Sequence, residues 1–289
     1  MRLPEFDYFE PLTVDEACAL LAEDPTGSAV IAGGTDVLVN LKEGLATHRR
    51  LVSLARIEPL RQVTFVPDRG LSIGAMATVN QVADNEAVRE QYPGIYDATM
   101  CLAADQVRNL ATVVGNLCSA VPSADMAPIL LAHGASLRAV SPTGERVIPL
   151  RELFTGPRAT VLEPAEVVTS VEVPAPAGST RGASQRHGGR ESLSLPIAGA
   201  AAVVQMDGAT CREAIIALGA VAPTPIVAAR AGLFLAGKQL SDEVLAEAGE
   251  LASSAAQPID DLRGGKRYRY ELVKVLTRRV VMTAAERAG

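Results

Sequence analysis

Residues 30–37 of this chain are Val30, Ile31, Ala32, Gly33, Gly34, Thr35, Asp36 and Val37. A short apolar run therefore ends in two glycines followed by a small hydroxyl residue. Glycine reaches positive φ and lets a ligand approach the main chain, because it has no Cβ. Successive N–H groups in such a turn form a concave site for an anion such as a pyrophosphate. Taken alone, a glycine pair also suits an ordinary strand-to-helix turn.

A second stretch repeats this pattern and is followed by a short polar segment. It consists of Ala111, Thr112, Val113, Val114, Gly115, Asn116 and Leu117, followed after a short gap by Pro122, Ser123, Ala124 and Asp125. Two such turns predict a dinucleotide held from two sides. In this hypothesis Thr35, Thr112 and Ser123 are hydroxyl donors, and Asp36 and Asp125 are nearby acceptors. Asp125 alternatively caps the helix that follows it, and the sequence leaves both roles open.

Composition excludes several classes of protein. The chain has 289 residues, enough for two domains with ample core. Its net charge of −6, without a basic run interleaved with aromatics, argues against a nucleic-acid binder. No stretch approaches the roughly 20 apolar residues that span a bilayer, and the first residues contain no signal-peptide core. We therefore expect a cytoplasmic protein.

The reactive residues show no pattern of their own. Cys18, Cys101, Cys118 and Cys211 are scattered without a C-x-x-C pair, so neither a disulfide framework nor an iron–sulfur site is predicted in this chain. The three histidines lie far apart and predict no metal site. Neither a G-x-G-x-x-G sequence opening a helix, nor a P-loop, nor a nucleophile motif is present. We therefore predict no catalytic residue, and any redox chemistry would come from a bound cofactor.

Local signals predict mixed helices and strands in two domains. Capping boxes at Thr13–Glu16 and Thr78–Gln81 start helices, and turns at 67–70 and 141–144 predict hairpins. The stretch 174–180 is rich in proline and glycine, as linkers are, so we place the domain boundary near residue 176.

Past that boundary, residues 182–192 are polar, glycine-rich and basic. We predict an irregular loop there, and its basic part (181–190) is either a solvated linker or a ligand contact. Residues 197–206 and 211–221 then predict a strand pair around Asp207-Gly208, followed by helices.

Longer motifs around the two glycine turns resemble those of a known family. Residues 32–38 are similar to the pattern A-G-G-T-D-[LV]-L, and residues 105–116 to Q-V-R-N-x-[GA]-T-[IV]-G-G-N. Residues 122–128 resemble the continuation P-x-[AS]-D-x-x-P. By these motifs the chain resembles the FAD-binding medium subunit of the molybdenum hydroxylases, the family of xanthine dehydrogenase and aerobic carbon monoxide dehydrogenase.

This resemblance implies an α+β fold in two domains. Residues 1–176 would form a two-lobed FAD-binding domain of the PCMH or vanillyl-alcohol-oxidase type. Residues 177–289 would form a smaller flavoprotein C-terminal domain with an antiparallel sheet and helices. Residues 30–37 would wrap the FAD pyrophosphate, residues 112–116 would form the opposing loop, and Asp125 would accept a hydrogen bond from a cofactor hydroxyl. Leu102 and Val168 would line the flavin.

The cofactor-binding residues implied in this way form one set. They are Val30, Ile31, Ala32, Gly33, Gly34, Thr35, Asp36, Val37, Leu102, Thr112, Val113, Val114, Gly115, Asn116, Ser123, Asp125, Val168, Gln185 and Arg186.

The chain departs from the family pattern at two places. Where the family often has a lysine after the linker, this chain offers Gln185 or Arg186. Val114 stands where the family usually has glycine. A β-branched residue disfavours positive φ, so we expect a different backbone or a looser fit at this point. FAD is still expected to bind, because Gly115 and Asn116 remain.

The resemblance also implies partners. Family members work with a small subunit that carries two [2Fe–2S] clusters and a large subunit that carries molybdopterin, as a heterotrimer or a dimer of heterotrimers. Electrons would pass from the clusters to FAD in this chain, and then to NAD+, oxygen or a quinone. Two alternatives remain open: a free-standing flavin oxidoreductase of the same fold, and a scaffold subunit that has lost its flavin.

Overall fold

The polypeptide forms a larger N-terminal part and a smaller C-terminal part, and both mix helices with sheets. The structure, a computed structural model, describes residues 2–190 and 193–289. The strands of the N-terminal part are β1 (Asp7–Phe9), β2 (Ser28–Ile31), β3 (Arg50–Ser53), β4 (Val63–Val66), β5 (Gly70–Gly74), β6 (Ser136–Ser141), β7 (Gly144–Pro149), β8 (Phe154–Gly156), β9 (Ala159–Thr160) and β10 (Val167–Val173). The predicted α+β class is confirmed.

The N-terminal part also contains short helices, several of which carry the candidate site. These are α1 (Val14–Glu23), α2 (Val37–Lys42), α3 (Val79–Asp84), α4 (Glu86–Gln91), α5 (Pro93–Cys101), α6 (Asp105–Arg108), α7 (Val113–Cys118), α8 (Ala127–Ala132) and α9 (Leu150–Leu153). A 3₁₀ turn spans Glu58–Arg61.

The first lobe is a three-stranded parallel sheet in the order β1-β3-β2. Ile31 from β2, Leu41 from α2 and Leu51 from β3 form its buried core. Residues 32–36 lie between β2 and α2, so the first glycine motif is the strand-to-helix turn that the sequence predicts.

The second lobe is built on a five-stranded sheet in the order β4-β5-β10-β6-β7, with antiparallel pairing throughout. Both predicted hairpins are present as β4–β5 and β6–β7. The Thr78 hydroxyl accepts from the Gln81 N–H, and the Gln81 side chain accepts from the Thr78 N–H, so this capping box starts α3 as predicted. At α1 the Thr13 hydroxyl accepts from the Glu16 N–H, so Thr13 is the N-cap as predicted. The Glu16 carboxylate accepts from the Leu12 N–H and not from the Thr13 N–H, so only the return bond of this capping box differs.

The second glycine motif is not a loop but the start of a helix. Thr112 is the N-cap of α7, and its hydroxyl accepts a hydrogen bond from the Gly115 N–H at 3.0 Å. Val113 and Val114 form the first turn. The prediction of an opposing loop at residues 112–116 is therefore wrong in conformation, because the threonine hydroxyl satisfies a helix N-terminus.

The C-terminal part is an antiparallel sheet covered by helices. Its strands are β11 (Thr180–Gly188), β12 (Pro196–Asp207), β13 (Thr210–Gly219), β14 (Ile226–Val227) and β15 (Lys238–Gln239), and its helices are α10 (Ala229–Leu235), α11 (Asp242–Ala255) and α12 (Lys266–Ala288). The predicted strand pair is β12–β13.

The predicted loop at 182–192 is wrong over most of its length. Residues 180–188 form β11, which pairs with the apolar strand β12. Main-chain hydrogen bonds to β12 therefore order a stretch whose composition is that of a linker. Glu191 and Ser192, at the end of the predicted loop, lie outside the described residues.

The two parts share an extensive junction. Arg287 at the end of α12 pairs with Asp97 of α5 at 2.6 Å and donates to the Gly182 carbonyl at 2.9 Å. Ala201, Val203 and Ala217 of the C-terminal sheet pack into the apolar core of the N-terminal part. The apolar core therefore continues across the predicted boundary. Within the described ranges, no helix combines the length and apolar character needed to cross a membrane.

Candidate functional site

The two glycine motifs are in direct contact. A Cβ placed on Gly33 would lie 1.9 Å from the Leu110 carbonyl oxygen, so the bare main chain of the first motif rests on the segment that leads into the second. The Ser119 hydroxyl donates to the Asp36 carboxylate at 2.6 Å and thereby joins α7 to the first turn. The fold therefore brings together two stretches that are about 80 positions apart in the sequence.

Between the motifs lies a cavity of about 570 Å³. Most of the predicted cofactor-binding residues line it. These are Val30, Ala32, Gly33, Gly34, Thr35, Asp36, Val37, Leu102, Thr112, Val114, Gly115, Asn116, Ser123, Asp125 and Val168.

Four predicted residues do not line this cavity. Ile31 packs into the core of the first lobe, and Val113 is fully buried in the core of the second. Gln185 and Arg186 lie on β11, beside a smaller cavity of about 20 Å³ between the two parts. Side chains alternate between the two faces of a strand and around a helix, so a continuous motif cannot direct every side chain to one ligand.

The first motif offers a set of unused donors. The main-chain N–H groups from Gly33 to Val37 have no hydrogen-bond partner among the described residues. Gly34 has a φ of +73°, the left-handed conformation that glycine adopts without strain. Since these donors border the cavity, the turn suits a ligand with anionic oxygens. FAD, with its pyrophosphate, fits this donor set.

The second motif faces the same cavity through its helix start. The N–H groups of Val113 and Val114 have no partner within the described part of the chain. Val114 has a helical backbone without positive φ, which agrees with the first of the two expected alternatives at this departure from the family pattern, a different backbone. The Asn116 side chain accepts from the Met126 N–H at 3.2 Å and fixes the segment before α8.

Asp125 faces a cation at the junction of the two parts. Its carboxylate lies 3.5 Å from the Arg186 guanidinium, which also donates to the Cys101 and Ser194 carbonyls. The N-cap of α8 is Met126, without a capping side chain, so the alternative that Asp125 caps this helix is wrong. Burial raises the pKa of Asp125 to about 6, although Arg186 acts in the opposite direction.

Asp125 should therefore make the stability of the flavin-free chain depend on pH. The folded chain holds this proton more tightly than the unfolded chain does, so Asp125 lowers stability as pH rises from about 4 to about 6. The variant Asp125→Asn has no carboxyl to ionise at this position, so it does not lose stability in this way as pH rises. Relative to the wild type, the variant should gain about 1–3 kcal/mol between pH 4 and pH 7. Denaturant unfolding of both proteins across this range measures the difference, and parallel pH profiles would contradict the raised pKa.

Several residues of the cavity wall were not predicted. They are Asn40, Ala46, His48, Leu54, Ala75, Ala103, Val107, Ala111, Cys118, Ser119, Val121, Ala124, Leu162, Glu166, Leu193, Ser194 and Leu195. Most lie outside both motifs and reach the cavity only through tertiary packing. Among those outside the motifs, Ser119 could have been found, since a hydroxyl one turn beyond Gly115 on a helix faces the same side.

Glu166 shows how the cavity wall is held. Its carboxylate is buried and receives two hydrogen bonds from Arg146, at 2.6 and 2.7 Å. It also accepts from the Glu163 N–H at 2.7 Å. Burial alone would raise the pKa of Glu166, but these bonds lower it. This ion pair fixes the loop before β10. Leu162 on that loop and Val168 on β10 both lie in the cavity wall.

Two family models match the chain. The FAD binding domain in molybdopterin dehydrogenase matches residues 4–176. The CO dehydrogenase flavoprotein C-terminal domain matches residues 184–284.

Full-length relatives and a solved structure agree with these matches. The chain is 30% identical to the xanthine dehydrogenase FAD-binding subunit of Escherichia coli O157:H7, covering 98% of this chain and 97% of that one. It is 32% identical to the carbon monoxide dehydrogenase medium chain of Afipia carboxidovorans, covering 98% of each. The Hydrogenophaga pseudoflava carbon monoxide dehydrogenase that lacks the Mo-pyranopterin moiety of its molybdenum cofactor superposes with a TM-score of 0.96, at 30% identity and over the whole of both chains.

Proposed function

Because this chain belongs to the family of FAD-binding subunits of the molybdopterin dehydrogenases, which are oxidoreductase components, we propose that it is the flavin-carrying electron-transfer subunit of a multi-subunit dehydrogenase. It would receive electrons from an iron–sulfur partner and pass them to an external acceptor. The observation that carries this proposal is the row of unpaired N–H groups from Gly33 to Val37 on the wall of the cavity.

In this proposal the chain binds and orients its cofactor. The N–H groups of Gly33–Val37, together with those of Val113 and Val114, would hold the pyrophosphate. Asp125 would accept from a cofactor hydroxyl, and the apolar side chains of Leu102 and Val168 would exclude water from the ring. A bound flavin supplies the redox chemistry, because it takes up and releases electrons singly or as a hydride. No side chain of the cavity is assigned a proton-transfer role.

The other predicted contacts enter the proposal in a modified form. Arg186 supports the site indirectly, because it holds Asp125, the Cys101 carbonyl and the Ser194 carbonyl together at the cavity edge. Gln185, on the same strand, is a weaker candidate for the place of the family's lysine. Ile31 and Val113 would contribute through their main chain alone, since their side chains are buried in the cores.

The proposed partners complete the electron path. We propose a small subunit with two [2Fe–2S] clusters and a large molybdopterin subunit, in a heterotrimer or a dimer of heterotrimers located in the cytoplasm. The acceptor would be NAD+, oxygen or a quinone. We also keep the division into domains 1–176 and 177–289 as a proposal, which the gap between the two family matches supports.

The purified chain provides the test of flavin binding. We expect a yellow protein that releases one FAD per chain on denaturation, identified by its mass. A chain that carries no flavin and binds none when FAD is added would instead be the scaffold alternative, and release of FMN would contradict the pyrophosphate site.

The partner proposal needs the complex from its natural host. A tagged chain should co-purify with two further subunits, and metal analysis should find iron and molybdenum in fixed ratio to FAD. If the tagged chain is isolated alone, without either metal, yet oxidises a substrate through its flavin, it is a free-standing oxidoreductase.

A further inference from the structure

Helix α6, which precedes the second glycine motif, carries an arginine with a nearly buried side chain. The Arg108 side chain is 11% exposed. Its Nη1 donates to the Leu102 carbonyl at 3.1 Å, and its Nε donates to the Asn80 side-chain oxygen at 3.1 Å. Its Nη2 lies 3.5 Å from the Asp105 carboxylate. One guanidinium therefore joins α6 to α3 and to the end of α5.

The carbonyl that Arg108 holds belongs to a strained turn on the cavity wall. Leu102 follows the last residue of α5, and Ala103 after it has a φ of +45°. A residue with a Cβ adopts this left-handed conformation only under strain, and it keeps the conformation where its surroundings fix the backbone. Both residues line the cavity. Because Arg108 donates to the carbonyl directly before Ala103, it is part of the surroundings that fix this wall.

Arg108 is itself fixed by a network of side chains. The Asn80 Nδ2 donates to the Asp105 carboxylate at 2.9 Å and to the Asn109 side-chain oxygen at 2.7 Å, while the Asn80 oxygen accepts from Arg108. Asn80 lies on α3, which starts at the capping box of Thr78. A polar network in which each member has a partner is rigid, so the guanidinium has a defined place behind the turn.

We propose that Arg108 is a positioning residue for the flavin ring, because it fixes the Leu102–Ala103 turn against which the ring packs. The inference rests on the proposed function, in which Leu102 lines the flavin. Arg108 does not line the cavity itself, so it acts through the turn. Its side-chain hydrogen bonds within the described residues go to Leu102, Asn80 and Asp105, and none goes to the pyrophosphate turn at 33–37.

Arg108→Met should therefore weaken the binding of FAD but not that of ADP-ribose. ADP-ribose has the adenosine and the pyrophosphate of FAD and lacks the flavin ring. FAD affinity should fall about tenfold, because the charged hydrogen bond that fixes the ring wall is lost. ADP-ribose affinity should stay within about twofold of the wild type. The visible circular dichroism of the bound flavin should change as well, since it reports the surroundings of the ring.

A merely structural role of Arg108 predicts a different result. The variant would then lose affinity for FAD and ADP-ribose by the same factor, through a smaller folded fraction, and the flavin that still binds would have the dichroism of the wild type. That result would overturn the proposal, and so would an unchanged FAD affinity.

Arg108→Gln isolates the bond to Leu102 and serves if methionine prevents folding. The glutamine amide nitrogen can occupy the place of the arginine Nε and donate to Asn80, but glutamine has no atom at the place of Nη1. Its FAD affinity should also fall about tenfold, with ADP-ribose affinity unchanged. If Arg108→Gln matched the wild type in FAD affinity and dichroism, the bond to Leu102 would not position the ring.

Arg89→Met is the matched control. Arg89 donates to the Ala83 carbonyl at 2.7 Å, six positions before it, as Leu102 is six positions before Arg108, but Ala83 lies outside the cavity wall. Both affinities and the dichroism should equal those of the wild type. The flavin-free full-length chains are titrated with FAD by flavin fluorescence, and ADP-ribose is measured by competition. Absence of saturable FAD binding by the wild type would instead refute the proposed function.

Discussion

Gly33→Ala should abolish the retention of FAD. A Cβ at this position would lie 1.9 Å from the Leu110 oxygen and 2.6 Å from the Leu110 carbonyl carbon. Both atoms belong to the main chain, so no side-chain rotation can relieve the clash, and the two motifs must move apart. Overpacking of this kind costs about 1–3 kcal/mol of stability or more. We expect a fall in FAD affinity of about 100-fold or greater, because the two sets of donors no longer face one ligand.

Gly156→Ala is the matched control. It adds the same methyl group without positive φ, and the nearest atom to its Cβ, that of Ala159, is 4.0 Å away. FAD content per purified chain and the denaturant midpoint should match the wild type for this variant. If Gly33→Ala also matched the wild type in both measurements, the contact between the motifs would not matter for binding.

Two substitutions at Gly34 separate the effect of charge on FAD binding from the effect of backbone conformation. Asparagine and aspartate have the same shape, and both tolerate the left-handed region that Gly34 occupies. Gly34→Asn should therefore retain measurable FAD binding, whereas Gly34→Asp should retain none, because its carboxylate lies beside the phosphates. Equal binding by the two variants would mean that the ligand atoms near Gly34 are not anionic.

Arg269→Met should strongly destabilise the C-terminal part. The Arg269 side chain is 1% exposed and donates to the Ile197 and Ala220 carbonyls at 2.7 and 2.9 Å. It also pairs with Asp261 at 2.7 Å. Burial alone would raise the pKa of Asp261, but bonds from Arg263 and Arg269 hold it at about 2. Removing the arginine leaves these acceptors without their donor, at a cost of about 3–5 kcal/mol.

Arg267→Met, two positions earlier on α12, is the control for Arg269. Arg267 is exposed, so its replacement should change the free energy of unfolding by less than about 0.5 kcal/mol. Denaturant unfolding followed by circular dichroism measures both variants. A loss below about 1 kcal/mol in Arg269→Met would show that the buried guanidinium is not the anchor of α12 against the sheet.

Much of the fold follows from local signals. The cap at Thr78, the hairpins β4–β5 and β6–β7, and the strand pair β12–β13 each depend on residues close together in the sequence. Such elements can be predicted because turn and cap chemistry act over a few residues. Strand β11 could not be predicted in this way, because its order comes from pairing with β12 rather than from its own polar composition.

The site was predictable only where a motif carries it. Gly33 to Asp36 and Thr112 to Asn116 stand out because small residues follow apolar runs, and the structure brings them together as expected. Their conformations differ, since Thr112 caps a helix, and a sequence pattern cannot distinguish a glycine loop from a capped helix start. His48 has no motif of its own. Its place on the cavity wall depends on the turn after α2 packing beside the first motif.

A crystal structure of the chain with FAD bound tests the central claim most directly. We predict that phosphate oxygens of the pyrophosphate lie within about 2.7–3.2 Å of main-chain nitrogens in the segment Gly33–Val37, with the start of α7 on the opposite side. A pyrophosphate bound elsewhere on the chain, or one held only by side chains while these N–H groups stay unpaired, would contradict the account.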